Sequence, residues 1–362
     1  MEKNIPLRFS PEPPNGFYDT LRARAAQYLS DKTTRPGVAL WLFGKVALLL
    51  TTYLFAYGKV VAGSPHLLFW YSLMGFLTVP LILNIGHEAV HGTLTASPVL
   101  NRCCTYIFNL LGADGAIWRK RHVLSHHVFP NIPGYDSDIT QNQLARISPR
   151  SVYLPAHRFQ HWYMPILYLL YTLNWLLYRD FKDCRRFYSG QAHYRIRLAM
   201  LLLGKLFYFG YVLLLPLCLH PEGSFVVLTG FLLMQFVMSA TTFLVLVSAH
   251  VGEYAVFPEP GPDGRMAQSW SVHQLQTTTD FASGSLLVTQ LFGGFNHHVA
   301  HHLFPQVSHL YYPALTAITR DTAREFGLSY QCFPTLGAAI LSHFRFLKNN
   351  SLPPRFFEEA DI

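Results

Sequence analysis

The 362 residues predict an all-α membrane protein: four transmembrane helices in two hairpins, with a helical domain on the cytoplasmic side. Three observations lead there. The composition is 51% hydrophobic and 15% aromatic with only 13% charge, well below the roughly 25% charge of an ordinary soluble domain. Four apolar stretches, 38–61, 67–85, 196–219 and 225–249, each approach the ~20 residues that a helix needs to cross ~30 Å of hydrocarbon. Three histidine clusters fall on one side of the topology those stretches imply, so the cytoplasmic domain is expected to carry a histidine-rich dimetal site.

In chain order, the first ~35 residues are polar and proline-containing, so no cleavable signal peptide is expected, and the first apolar run is itself long enough to span. Within that region Phe17, Leu21, Ala25 and Tyr28 recur at three to four residues with Asp19, Arg22 and Arg24 opposite. This pattern predicts an amphipathic helix lying on the membrane. The hairpin loops 62–66 and 220–224 contain no Lys or Arg, the nearest being Lys59. The segment between the hairpins carries Arg102, Arg119, Lys120, Arg121, Arg146, Arg150, Arg158, Arg179, Lys182, Arg185, Arg186 and Arg195, and Arg22, Arg24, Lys32 and Arg35 precede the first span. Basic loops stay on the cytoplasmic side, so residues 1–37, 86–195 and 250–362 are expected there, in a single domain running the length of the chain.

Residues 162–178 are apolar and aromatic but short, with Pro165 near the start. An interfacial or partly embedded helix is expected, because a fifth span would carry the third histidine cluster to the wrong side. Pro258, Pro260, Gly261, Pro262 and Gly264 mark a turn-rich loop, and helices packing beneath the metal-bearing domain are expected from Pro313 onwards. The net charge of +8 suits anionic headgroups rather than nucleic acid. Cys103, Cys104, Cys184, Cys218 and Cys332 are odd in number and lack metal-ligand spacing, so reduced thiols are expected. Neither a repeat nor a low-complexity run stands out.

The clusters are His87-Glu88-Ala89-Val90-His91, His122-Val123-Leu124-Ser125-His126-His127 and His298-Val299-Ala300-His301-His302. Helical residues three or four apart share a face, so each cluster is expected to aim its imidazoles at one point. Imidazole is the commonest protein metal ligand, and these eight suffice for two ions rather than one. His250 stands alone at the end of the fourth span, either as a ninth ligand or as an interfacial polar residue. Of the neighbours His297 and His298, the latter has the better spacing. His66, His157, His161, His193, His220, His273, His309 and His343 have no partner at ligand spacing and read as polar surface or capping residues. Asp114, Asp136, Asp138 and Asp280 are candidates to accept hydrogen bonds from ligand N–H groups, with loop caps or arginine pairing as the competing role.

The clusters, their order and intervals, and the flanking words Gly-His-Glu-Ala-Val-His-Gly, Trp118-Arg-Lys-Arg-His, Asn131-Ile-Pro-Gly-Tyr-Asp-Ser-Asp-Ile and Phe295-Asn-His-His-Val-Ala-His-His-Leu-Phe-Pro resemble the membrane fatty acid desaturases. The likeness runs from about Phe17 to Tyr330, includes Arg158 to Tyr163, and is nearest the bacterial acyl-CoA or acyl-lipid branch related to front-end desaturases. It implies a non-haem centre of two iron ions that removes two hydrogens from a fatty acyl chain, with O₂ as co-substrate. The family's ligands fall on His87 and His91, on His122, His126 and His127, and on His298, His301 and His302, and His250 matches an additional histidine on the fourth span. Many front-end desaturases have Gln and Glu where this chain has His298 and Ala300, which loosens the implied position of the double bond. The sequence contains no His-Pro-Gly-Gly haem motif, so electrons are expected from a separate donor, a ferredoxin or a cytochrome b-type carrier with its reductase.

Chemistry points the same way, since breaking an unactivated methylene C–H bond needs a redox-active metal, which zinc is not. The expected substrate is an acyl chain on CoA or on a lipid, drawn from the bilayer into an apolar tunnel. Rival readings are a hydroxylase or ketolase of the same di-iron class, a metal carrier, and a membrane zinc protease using the His87–His91 H-E-x-x-H pattern with Glu88 as base. The protease leaves two clusters unexplained. The carrier needs polar groups inside the spans, which contain few ionisable residues apart from Lys45, Lys59, Arg197 and Lys205 near their ends.

Overall fold

The computed structural model describes residues 6–30, 36–139, 143–148 and 150–353. Lys32 and Arg35, two of the cations bearing on orientation, lie outside them. Four helices are long and apolar enough to cross a membrane: Leu40–Val61, Leu67–His91, Tyr194–Leu219 and Ser224–His250. The second outruns the expected 67–85 because the helix carries straight on through the first histidine cluster.

The spans divide into an inner and an outer pair. In the most apolar window of the second, 61% of residues are buried, against 22% in the first and third. Leu48 and Leu54 on the first span, and Leu203 and Leu206 on the third, point outward, as lipid-facing side chains do. The second and fourth spans meet at two glycines: a methyl group on Gly75 would overlap the Met234 carbonyl, and one on Gly230 would overlap the Tyr71 ring. Small residues let backbones close where apolar burial gives no preference between helix and lipid. Polar contacts fix the rest, with the Tyr71 hydroxyl donating to Val212 O at 2.9 Å and Gln235 Nε2 to the Tyr208 hydroxyl at 2.7 Å. His220 Nε2 lies 2.9 Å from Val61 O, tying the tips of the two hairpins together.

On the histidine side, short helices cap the bundle. Residues 162–178 form no fifth span: helix Gln160–Leu169 ends at Leu170, and a second helical stretch starts at Tyr171. Trp162, Ile166 and Leu177 are exposed while Met164, Thr172 and Leu176 are buried, which suits a helix at an interface. The two cations of the third span, Arg197 near its start and Lys205 within it, are tethered to this layer, Lys205 to Asp180 at 2.5 Å and Arg197 to Asp114 at 2.7 Å.

Three expectations fail here. Helix Phe17–Ser30 buries Phe17, Leu21 and Ala25 against protein, among Leu275, Val299, Leu303, Ala323 and Leu315. Its apolar face therefore supports the third histidine cluster instead of lying on a membrane. The fold is not wholly α: Arg8–Ser10 pairs in parallel with Arg265–Ser269, and Asp280–Phe281 with Cys332–Phe333. Strands of two to five residues are too short to show a period of two. His157, His273, His309 and His343 are buried rather than superficial, each making a specific bond such as His273 Nε2 to Pro130 O or His343 Nδ1 to Val251 O. His66 and His193 are exposed as expected. All five cysteines are free. The C-terminal helices Tyr312–Glu325 and Leu336–Asn349 pack beneath the histidine clusters and against the fourth span.

Candidate metal centre

The nine histidines converge from four parts of the chain into two groups. His87, His91, His122, His127 and His301 form one, and His126, His250, His298 and His302 the other, with ligand atoms inside each group within 4.8 Å of one another. The groups adjoin: the His127 and His302 rings stack with centroids 4.4 Å apart. All nine are buried except His91, which is half-exposed.

The expectation that each cluster aims at one point is not met, for a helical reason. Within 298–302, residues 298 and 302 are four apart and share a group, while His301 turns to the other. The second cluster splits likewise because 122–126 is a π-turn, closed by the His127 N–H to His122 O bond at 2.9 Å. With five residues spanning a turn, His122 and His127 fall on the same face and meet edge to face, Nε2 to Nε2 at 3.0 Å, while His126 joins the other group. A π-turn also occupies Ile82–His87, and such bulges favour functional sites. The helix stops just past His91 at Gly92, left-handed at φ 77°, with the Thr93 N–H to Glu88 O bond at 2.9 Å that closes a Schellman cap.

Tautomers decide what the groups can do. His126 Nδ1 is 3.0 Å from Asp136 Oδ2, His250 Nδ1 3.0 Å from Thr277 O, and His302 Nδ1 2.8 Å from Gln274 Oε1. Carboxylate and carbonyl oxygens only accept, so Nδ1 carries the proton and Nε2 presents a lone pair. Yet His126 and His250 Nε2 are 3.0 Å apart, His250 and His298 Nε2 2.7 Å, and His298 and His302 Nε2 3.1 Å. Between His126 and His250, both with the proton held on Nδ1, two lone pairs face each other; they cannot hydrogen-bond, and their repulsion calls for a cation between them. Metal–nitrogen bonds of about 2.1 Å put neighbouring ligand atoms about 3.0–3.4 Å apart, which two of these three distances match while His250–His298 is closer. In the five-histidine group the Nε2 atoms of His87 and His122 are 3.2 Å apart, and His91 Nε2 and His301 Nε2 have no other partner. The residues present therefore fit metal ions.

Protonation agrees. Burial first, and then neighbouring imidazoles, push His122, His127, His298, His301 and His302 well below the ordinary histidine range, the neutral form that a metal requires. Burial alone would lower His126 too, but the Asp136 carboxylate holds it above the usual value. Asp136 is itself lowered against its burial by His126 and by the Asn131 N–H, 2.9 Å away.

Of the four candidate carboxylates, two meet ligand imidazoles. Asp136 does so closely; Asp138 is 3.4 Å from His122 Nδ1 while holding Arg121 at 2.6 Å. The other two do not. Asp114 caps helix Gly115–Arg121 through Ala116 N and Ile117 N and pairs Arg197, and Asp280 accepts from Val299 N and from the Tyr330 hydroxyl, fastening the backbone of the third cluster. In both, N–H donors of a helix start compete better for the carboxylate than an imidazole. His297 bonds to Thr316 and Thr289 and stays outside both groups. Gln274, Tyr312, which lies 3.0 Å from His301 Nδ1, and the Thr277 carbonyl escape sequence reasoning, because none adjoins a histidine cluster in the chain.

Glu88 is turned away from the histidines. Its Oε1 lies 3.2 Å from His309 Nδ1, and Lys45 Nζ closes on the far nitrogen of that ring at 2.8 Å. It is not placed as the base of a zinc protease. An almost wholly apolar cavity, lined by Val79, Leu83, Leu111, Met238 and Val245, runs instead between the inner spans up to Trp118. The Trp118 ring stacks on His122 with centroids 4.2 Å apart.

The profile of the family described as fatty acid desaturase matches residues 62–334. The chain belongs to the fatty acid desaturase family. The desaturase is 32% identical to the sn-1 linoleoyl-lipid 6-desaturase of Synechocystis sp., over 92% of this chain and 95% of that one. It is 28% identical to an acyl-lipid (8-3)-desaturase of Physcomitrium patens, over 97% of this chain and 75% of that one. The Delta(5) fatty acid desaturase A of Dictyostelium discoideum is also 28% identical, over 95% of this chain and 76% of its own. The desaturase is thus an oxidoreductase that acts on fatty acyl chains, its family implies a metal centre, and its four apolar helices are consistent with a membrane protein.

Proposed function

We propose that this desaturase introduces a double bond into an acyl chain carried by a membrane lipid, using O₂ and two iron ions held by the nine histidines on the cytoplasmic side. One observation carries the reading: two adjacent all-imidazole groups, in one of which the Nδ1 protons of His126, His250 and His302 are tied to acceptors so that their Nε2 lone pairs converge. A group of five nitrogen donors exceeds the four of a tetrahedral zinc site and suits iron. The names of the relatives, which include linoleoyl-lipid and acyl-lipid enzymes, favour a lipid-borne substrate over a thioester. The balance is a saturated –CH₂–CH₂– unit, O₂, two electrons and two protons giving –CH=CH– and two waters, with a separate ferredoxin or cytochrome b-type carrier and its reductase supplying the electrons. Orientation follows the cations: Arg119, Lys182, Arg185 and Arg186 lie between the hairpins and the hairpin loops have none.

Bound at the two groups, iron supplies the oxidising power to break methylene C–H bonds. The chain's own residues do the positioning. The apolar cavity between the second and fourth spans excludes water and holds the methylenes in line. Trp118, touching both the cavity and the His122 ring, sets how close a substrate carbon comes to the centre. Asp136, Thr277 and Gln274 keep each Nδ1 proton in place, and Glu88, bonded to His309, takes no part as a base.

Expression in a host lacking polyunsaturated lipids, followed by mass-spectrometric location of new double bonds, tests this. A new carbon–carbon double bond in the acyl chains of the lipid fraction is expected. A hydroxylated or keto product in place of an alkene would transfer the chain to the related oxygenase chemistry.

A further inference from the structure

Beside the apolar cavity proposed for the acyl chain, a second and larger space remains. A cleft of about 860 Å³ opens between the start of the third span and the helices that follow His91. One wall is apolar, formed by Met200, Leu203 and Phe207 of the span together with Leu110. The mouth carries Arg102 and Arg119, both exposed, and among the described residues neither has a carboxylate within salt-bridge distance. The cleft also holds Asp114, but that carboxylate is taken by Arg197. Three arginines against one aspartate leave a net charge of +2 on the lining. At the inner end stands His91, the least buried of the nine histidines.

An apolar wall continuous with a lipid-facing span, below a pair of uncommitted guanidiniums, describes an amphiphile with an anionic head. Guanidinium is the side chain best matched to phosphate, through paired N–H donors. The adjacent residues Trp118 and Arg119 face opposite ways, one into the apolar cavity and the other into the cleft. The cleft and the apolar cavity thus lie on either side of the helix that carries Trp118 and Arg119.

We propose that this cleft seats the phosphate headgroup of a membrane phospholipid, held by Arg102 and Arg119 beside His91. The inference rests on the reading of the histidine centre as the desaturating site, and it makes the substrate a phospholipid of the bilayer rather than an uncharged glycolipid, with acyl-CoA, which also carries phosphate, as the competing occupant that the test distinguishes. Its effect appears in the binding of lipid, not in the rate of chemistry once the lipid is bound.

The test uses the full-length, iron-loaded protein in nanodiscs containing either phosphatidylglycerol or monogalactosyl diacylglycerol with the same acyl chains. Native mass spectrometry reads retained lipid, and product formation at varied mole fraction gives the apparent KM. For the double variant Arg102→Gln/Arg119→Gln, retained phosphatidylglycerol should fall and its KM rise about tenfold, the scale of losing charge-assisted bonds at a solvated site. Its kcat, its iron content and its turnover of the galactolipid should match wild type. Arg102→Lys/Arg119→Lys, which keeps the charge without the fork, should recover most of the loss. Unchanged retention and KM in the glutamine variant would overturn the proposal, as would a KM increase confined to added acyl-CoA. If wild type makes no product from either lipid, the desaturation reading fails, yet phosphatidylglycerol retention still reports on the cleft.

Discussion

Asp136→Asn is the sharpest test of how the centre is held. The carboxylate is 1% exposed and lies 3.0 and 3.1 Å from His126 Nδ1, while the backbone N–H groups of Asn131 and Asp138 donate to it at 2.9 and 2.8 Å. Asparagine keeps the shape but not the charge, and its NH₂ must face either the imidazole N–H or one of the backbone donors. Outer partners of this kind are worth about 10–100-fold in metal affinity, or ~1.4–2.7 kcal/mol. Because the site is buried, little of that is screened. His126 belongs to the four-histidine group, so the loss should be confined to one ion. Dialysis against a graded chelator series, with iron counted per chain by plasma mass spectrometry, should show one iron leaving at 10–100-fold lower chelator strength and the other unmoved. Asp138→Asn gives the contrast: its bond to His122 is long, at 3.4 Å, but it holds the buried Arg121. That variant should lose folding stability more than iron. Two irons retained at wild-type affinity in Asp136→Asn would refute the orienting role.

Four further outcomes are expected. His126→Ala and His301→Ala should each abolish product and lower bound iron, measured on the same preparation; activity retained in both would remove them from the ligand set. Thr242→Phe pushes a ring into the apolar cavity and should abolish turnover of long chains while iron content stays normal, read by product profile against chain length. Gly230→Leu forces the Tyr71 ring off the span contact and should cost at least the ~1–3 kcal/mol of an overpacked core, seen as a lower unfolding temperature in detergent. Burial pushes His273 and His343 down to about 4 from an ordinary 6.5. The unfolded chain therefore takes up those protons first, and metal-free protein should lose ~3 kcal/mol per histidine as pH falls from 6.5 to 4, with His343→Gln flattening the slope in a thermal-unfolding series.

How much was legible beforehand depends on the length over which each signal repeats. The four spans are long and uniform, so composition alone located them, missing only the run-on from Ile85 to His91. The histidines were legible because their chemistry is rare at such spacing. Their division into two groups was not, since it depends on a π-turn at 122–126 that ordinary helical spacing does not anticipate. Gln274, Thr277 and Tyr312 reach the imidazoles through tertiary packing, and nothing near them in sequence marks the role. Helix Phe17–Ser30 shows the converse: an amphipathic pattern states that one face is buried, and it was the third cluster, not lipid, that buried it. Asp114 and Asp280 were equally open to a cap and to an imidazole, and the backbone donors took them.

Metal-resolved anomalous scattering from the iron-loaded protein tests most directly whether two metals sit in the two imidazole groups. The predicted result is two iron peaks per chain, one within bonding distance of His87, His91, His122, His127 and His301 and the other of His126, His250, His298 and His302. A single zinc between His87 and His91, with no iron at the second group, would contradict it.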